Sequence, residues 1–267
     1  MSTPTISASQ VKELRDQTGA GMMECKRALV EADGDLEEAR RILRERGLAA
    51  AGKRAGRETT EGKVLARVET NRGTLIAIGC ETEPVSKNEE FIAYARKVLE
   101  AVHDRGPAAV DEVDPERLDL IGKIGENIVV SGSERFEAQN GEILSAYIHP
   151  PAEKIGVLVR VGGGTHEFAR MLAQHISFAN PDVTSRDDVD PTRVDEERAL
   201  FERLQEVSSK PEEVRARIVD GMLAKRFFAE IVLVDQPWIH DTSSTVGDAL
   251  AENGAEVREF VRYALTK

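Results

Sequence analysis

The apolar positions change period along the chain, and each change marks a structural unit. From Ile6 to Gly52 they recur at helical spacing in three short runs. Ser7 and Gln10 have the spacing of a capping box, and Ile6 with Val11 forms the hydrophobic staple across it. The helix that follows buries Val11 and Leu14, and the two glycines of Thr18-Gly19-Ala20-Gly21 break it. A second helix begins near Met22, where Met22, Cys25 and Leu29 fall at i, i+3 and i+7, which places Met22 in the core. Asp33-Gly34 closes it. Asp35 and Glu38 cap a third helix carrying Leu36, Ala39 and Leu43, and Gly47 suits its end. The stretch Ala51 to Gly62 is basic and Gly-rich without apolar periodicity, so residues 1–52 read as a three-helix docking module and 53–62 as a linker.

From Lys63 the pattern turns to strands. VLARVET and TLIAIGC flank Asn71-Arg72-Gly73, a hairpin signal. A helix is predicted from Pro84 through Val102, with Phe91, Ala95 and Val98 on one side; Leu118 to Glu126 reads as helix, ENIVV and SERFEAQ as strand. VLVRV at 157–161 matches VLARV at 64–68 in four of five positions, and a helix over 165–178 follows it. The similarity points to duplication, with one core unit over 63–142 and a second over 143–189 and 231–267. Interrupting the second unit, 190–230 is helical and highly charged. Leu200, Leu204 and Val207 make one apolar stripe and Val214, Ile218 and Met222 another, separated by Ser208-Ser209-Lys210-Pro211, as in an antiparallel hairpin projecting as a short coiled coil. AEIVLVDQPW reads as a strand, and Val246 to Leu265 as a closing helix.

Composition narrows the chemistry. Of 267 residues, 40% are hydrophobic, 31% charged and only 4% aromatic, so the cores rest on Val, Leu, Ile and Ala. A net charge of -12 disfavours direct binding of nucleic acid, whose affinity comes largely from Lys and Arg, and suits a protein partner. Cys25 and Cys80 are too few for a disulfide framework or a zinc site and sit among apolar neighbours. The start of the sequence has no secretion signal, and no run reaches the ~20 apolar residues of a membrane helix, so a cytoplasmic protein away from membranes is expected. Gly56 to Gly62-Lys63 is one residue too long for a phosphate loop, with Val64 where a magnesium-binding hydroxyl would stand. Gly162-Gly163-Gly164 lacks the dinucleotide spacing and reads as a glycine-rich hairpin turn. The five histidines include no i, i+4 pair, and no nucleophile elbow or kinase signature occurs. No cofactor, no metal and no covalent chemistry are expected.

Three places stand out instead. In TGAGMMECKRAL, Met23 lies off the Met22 face, either as an adaptable contact surface or packed on the rest of the protein. In CETEPVSKNEEF, proline holds its predecessor extended and suits a first helical turn, which sets Glu83 at a helix start. In LAQHISFANP, His175 is a lone histidine on an apolar helix face, the usual situation of a satisfied core residue.

These segments, with KIGENI at 123–128, KIGVLV at 154–159 and QPW at 236–238, resemble the bacterial elongation factor Ts family along essentially the whole chain. The resemblance implies an α+β fold: an N-terminal three-helix ubiquitin-associated-like module, then two related α+β core subdomains with an inserted antiparallel helical hairpin. It also implies guanine-nucleotide exchange on the translation GTPase elongation factor Tu. The family's exchange motif, Thr-Asp-Phe-Val, falls on Thr82, Glu83, Pro84 and Val85, so that the carboxylate is one methylene longer and the aromatic wedge is absent. The motif disturbs the partner's magnesium site in this family. Met22 and Met23 map to the docking module, and His175 to a histidine that presses on the GTPase near its phosphate-binding region. The competing expectation is a scaffold that binds partners without altering nucleotide affinity.

Overall fold

The computed structural model describes residues 6–265. It opens with α1 (Ala8–Thr18), α2 (Met22–Glu31) and α3 (Leu36–Arg54). The Ser7 hydroxyl accepts from Gln10 N while the Gln10 side chain returns the bond, and Asp35 accepts from Glu37 N and Glu38 N. Val11, Leu14, Cys25, Ala28, Leu29, Ala39 and Ile42 form the small core of this unit. Met22 is not part of it. The buried face of α2 is Cys25, Ala28 and Leu29, and Met22, one turn earlier and directly after the Gly21 cap, overshoots that core with 54% of its surface exposed.

Gly47 does not end the third helix, which runs on to Arg54. It marks a close helix crossing with α6 (Val110–Ile124): a Cβ at Gly122 would stand 3.0 Å from the Gly47 Cα. Glycine inside a helix costs about 1 kcal/mol against alanine, here offset by backbone approach. Beyond the crossing, Ala51 is buried with Ile76, Phe91 and Ile121 of the body. The three-helix unit is therefore carried on a continuous helix, and the irregular connection shrinks to residues 55–60.

The body is four layers. β1 (Glu61–Val68), β2 (Arg72–Cys80) and β3 (Ile128–Glu137) form one antiparallel sheet in that order; β4 (Glu142–Ile148), β5 (Ile155–Gly163) and β8 (Ala255–Ala264) form the other. Strand alternation sorts their side chains. On β2, Leu75 and Ala77 face the second sheet, while Ile76, Ile78 and Cys80 face the helices. On β5, Leu158 faces the first sheet, and Val157, Val159 and Val161 face away from it. The inner faces meet through Val64, Leu75, Phe136, Leu144, Leu158 and Leu265. Gly156 makes room there, since a Cβ on it would lie 2.5 Å from Val64 Cγ1. Outside the first sheet lie α4 (Glu83–Ser86), α5 (Glu89–Arg105) and α6; outside the second lie α7 (His166–Ala179) and α12 (Val246–Glu252).

Several segments depart from the periodic reading for visible reasons. The helix expected from Pro84 is two, because Asn88 turns extended and caps α5 through Glu90 N and Phe91 N. The closing helix is α12 followed by β8. A register shift between Arg160 and Val161 leaves Arg258 unpaired and puts Val257 and Phe260 toward the same core three residues apart, which imitates helical spacing. VLARV and VLVRV are not equivalent: the first is an edge strand, the second the central strand, whose counterpart is β2. The similarity between halves is a hairpin, a helix and a returning third strand. Gly163, with φ 72° and its α-carbon face against the Gly254 carbonyl, ends β5 beside β8 instead of turning a hairpin.

The inserted segment is α8 (Pro191–Arg203), α9 (Gln205–Ser208), α10 (Glu212–Met222), a π turn over Leu223–Phe228 and α11 (Ala229–Ile231). Extended Leu204 and the π turn shift the helical phase, so Phe201, Val207, Val219, Met222, Leu223 and Phe227 are buried while Leu200 and Val214 are exposed. Val189 and Val232 complete that core, which ties the segment to the body. AEIVLVDQPW is mostly helical turns. Val232 faces the inserted core and Leu233 the α7 core, but only one bridge, Val183 to Val232, and β6 (Pro237–Trp238) paired with β7 (Asp241–Thr245) are strand-like.

Replacing Gly122 with Leu should force α3 off α6. We expect a loss of about 1–3 kcal/mol in urea unfolding and new proteolytic cleavage within residues 55–60; unchanged stability and cleavage would contradict the crossing.

Candidate partner-binding site

The segment Thr82–Val85 leaves the end of β2 and begins α4. Thr82 is the N-cap of α4 and is extended, φ -129° and ψ 151°. Glu83 and Pro84 open the helical turn and are exposed, as is Thr82, while Val85 is half-buried against the core of α5 and α6. Glu83 thus stands at the helix start, as expected, but inside the turn and not extended before it, the extended position being Thr82. Its carboxylate is bonded at 2.7 Å to Lys87 Nζ, which holds it below the usual carboxylate range and raises Lys87 in turn. Both groups are open to water, so the pair organises the turn without contributing much stability.

The turn is held from below. Glu126 accepts from Glu81 N at 3.1 Å, Thr82 N at 3.0 Å and Thr82 Oγ1 at 2.5 Å. Asn127, almost fully buried, donates from N to Glu81 Oε1 at 2.6 Å and from Nδ2 to Arg57 O at 2.9 Å. Arg57 lies 3.2 Å from the Glu81 carboxylate. The connection leaving α3 and the loop leaving β2 are thereby fastened to one another. Cys80 Sγ donates to Thr82 O at 3.4 Å, and burial pushes the thiol up to about 12, so it stays protonated and structural. Ser86 Oγ donates to Glu83 O and closes the turn. Glu126, Asn127 and Glu81 were not singled out in the sequence as supports; the KIGENI segment that carries two of them was the available signal.

His175 is at the opposite extreme of exposure. Its relative surface is 0%, so an imidazole pressed directly against a partner is not what this arrangement offers. Ile239 N donates to Nδ1 at 3.4 Å, which assigns the proton to Nε2, and that group donates to Gln236 Oε1 at 2.9 Å. Gln236 Nε2 in turn donates to Glu230 O at 2.7 Å and Ala179 O at 3.3 Å, and the Trp238 ring stacks on the imidazole at 5.2 Å. His175 and the QPW segment, separate in sequence, form one unit that locks the last turn of α7. Desolvation lowers the His175 pKa and keeps it neutral.

Met22 and Met23 form an exposed apolar pair on α2, 54% and 66% accessible. A cleft of about 1100 Å³ separates their unit from α5 and α6, lined by Thr18, Arg27, Arg44, Tyr94 and Lys97 among others, and Thr82–Val85 take no part in it. Thr82, Glu83 and Pro84 are instead exposed at the surface. Among the described residues no three His, Cys, Asp or Glu side chains come together to hold a metal ion, and no helix is long and apolar enough to cross a membrane.

The family model described as Elongation factor TS matches residues 81–267, beginning at the clamped loop. The chain is 41% identical over 271 residues to an elongation factor Ts from Thioalkalivibrio sulfidiphilus, covering 97% of this chain and 92% of that one. It is 38% identical to the elongation factor Ts of Idiomarina loihiensis, at 97% and 90% coverage, and 39% identical to that of Alkalilimnicola ehrlichii, at 97% and 91%.

Two outcomes test the site. Glu126→Ala removes three bonds to a charged acceptor; unfolding should lose about 1–3 kcal/mol, and amide exchange at Glu81 and Thr82 should accelerate while that of Ile76 and Ile78 changes little. For His175 the folded pKa lies below the ordinary 6.5, so protons bind the unfolded chain preferentially. The stability that neutral His175 contributes is complete above that value and falls as pH drops through it. Urea midpoints should show this slope between about pH 7 and 5 in the wild type, and His175→Gln should remove it.

Proposed function

From the chain's membership of the elongation factor Ts family, we propose that it is a guanine-nucleotide exchange factor that binds elongation factor Tu in the cytoplasm, disturbs its magnesium and phosphate site, and promotes GDP release so that GTP can rebind. The observation that carries this reading is the clamped turn: an exposed Thr82-Glu83-Pro84 rim on a backbone fixed by Glu126 and Asn127. A rim that must displace groups in a partner works only if it yields less than they do.

The driving requirement is differential binding. The factor must hold the nucleotide-free GTPase more tightly than the GDP-bound form, and linkage then requires GDP to weaken factor binding by the same ratio. Contacts remote from the nucleotide supply the energy that offsets distortion at the phosphate site. In this reading residues 1–52, a ubiquitin-associated-like module, dock on the GTPase through Met22 and Met23, and the rigid α3 and its Gly47–Gly122 crossing fix where that contact stands relative to Glu83. Glu83 provides the negative charge near the partner's magnesium, and Pro84, in place of an aromatic wedge, stiffens the turn that bears it. His175 acts as a positioning residue through Gln236 and the end of α7. No group of the factor needs to touch the nucleotide, and no bond is made or broken.

Release of labelled GDP from elongation factor Tu, with the factor well below stoichiometric amounts, tests this. Wild type should accelerate release, and Glu83→Ala should reduce the acceleration about tenfold, equivalent to about 1.4 kcal/mol of barrier. Release at the intrinsic rate with wild type, despite complex formation, would favour a non-exchanging scaffold, the alternative that the absent aromatic at Pro84 raises.

A further inference from the structure

Phe178 is the most exposed large apolar side chain among the described residues, at 81% of its surface. Its helix explains the position but not the residue. On α7, Phe168, Ala169, Leu172, Ala173 and Ile176 fill the core, and Phe178 lies off that face on the final turn. A polar side chain there would satisfy the amphipathic pattern at no packing cost.

The backbone beneath it is unusually well fixed for a helix end. Asn180 adopts the left-handed cap, φ 49°, with its N–H bonded to Ile176 O at 3.1 Å. Two carbonyls that a C-terminal turn would leave to water are taken by distant side chains: Ser177 O accepts from Arg262 Nε at 3.1 Å, and Ala179 O from Gln236 Nε2 at 3.3 Å. The ring therefore stands on a pinned turn, and burying it would order only its own two side-chain torsions.

Connectivity places it at the end of the body that carries Glu83. Arg262, bonded to Ser177, pairs with Val157 on β5, two residues from Ile155. The adjoining Lys154 is bonded through Nζ to Glu61 at 2.5 Å, and Glu61 pairs with Cys80, from which the Thr82–Val85 turn departs. The turn lies outside one sheet and Phe178 outside the other, across four layers stacked about 10 Å apart. One partner surface of ordinary size, about 800 Å² per side, spans that distance.

Resting on the exchange-factor reading, we propose that Phe178 is the aromatic anchor of the complex, inserting into an apolar recess on elongation factor Tu, and that it supplies the aromatic contact missing from the motif at Pro84. Anchors of this kind are aromatic, preorganised and few, and their truncation costs more than their share of area.

The test is calorimetric titration of nucleotide-free elongation factor Tu with the full-length protein. Phe178→Ala should weaken binding about tenfold or more with an unchanged thermal midpoint, because an exposed ring contributes little to folding. Val68→Ala, at an exposed apolar position at the far end of β1, should stay within about twofold. Phe178→Ala within about twofold of a wild type that binds and exchanges overturns the anchor and leaves the exchange reading standing. A wild type that does not bind overturns both.

Discussion

The packing of two three-stranded sheets, inner face to inner face, is the constraint on which the rest depends. Leu75 and Val64 from one side meet Leu144 and Leu158 from the other, and Gly156 lets the backbones close. Each sheet alone would leave its inner face in water; together they bury it and fix the ends of all six strands relative to one another. Two ion pairs, Lys63 with Glu153 and Lys154 with Glu61, seal the end from which the β2 loop departs. That loop and the last turn of α7 have a defined spacing because they hang from opposite faces of one sandwich.

On this frame two exposed turns are supported from behind. Glu126 and Asn127 fasten the Thr82 turn and the exit from α3, and Gln236 with His175 and Trp238 fastens the exit from α7. In each case an enclosed or half-buried side chain fixes an exposed turn of backbone. Exchange by distortion needs such stiffness, since a compliant rim would spend the binding energy on rearranging itself.

Local chemistry was legible in the sequence; phase and partnership were not. The Ser7 box, the Asp35 cap and the Glu83-Pro84 helix start depend on neighbours within four residues, and each stands where its spacing puts it. Gly47 looked like a helix stop because its reason for being glycine, Gly122, lies far along the chain. The bulge at Arg258 and the π turn at Leu223 each add a residue to a repeat and so moved the apparent face. His175 read as a contact or as core, and only the third dimension shows it enclosed by Gln236 and Trp238. The clamp on Thr82 joins residues more than forty apart, and no local pattern announces it.

Exchange requires an asymmetry of affinity, and equilibrium binding reads it directly. Dissociation constants of this protein for elongation factor Tu, measured nucleotide-free and at saturating GDP, should differ by the factor by which saturating protein weakens GDP binding. Equal affinity for the empty and the GDP-loaded GTPase would contradict it.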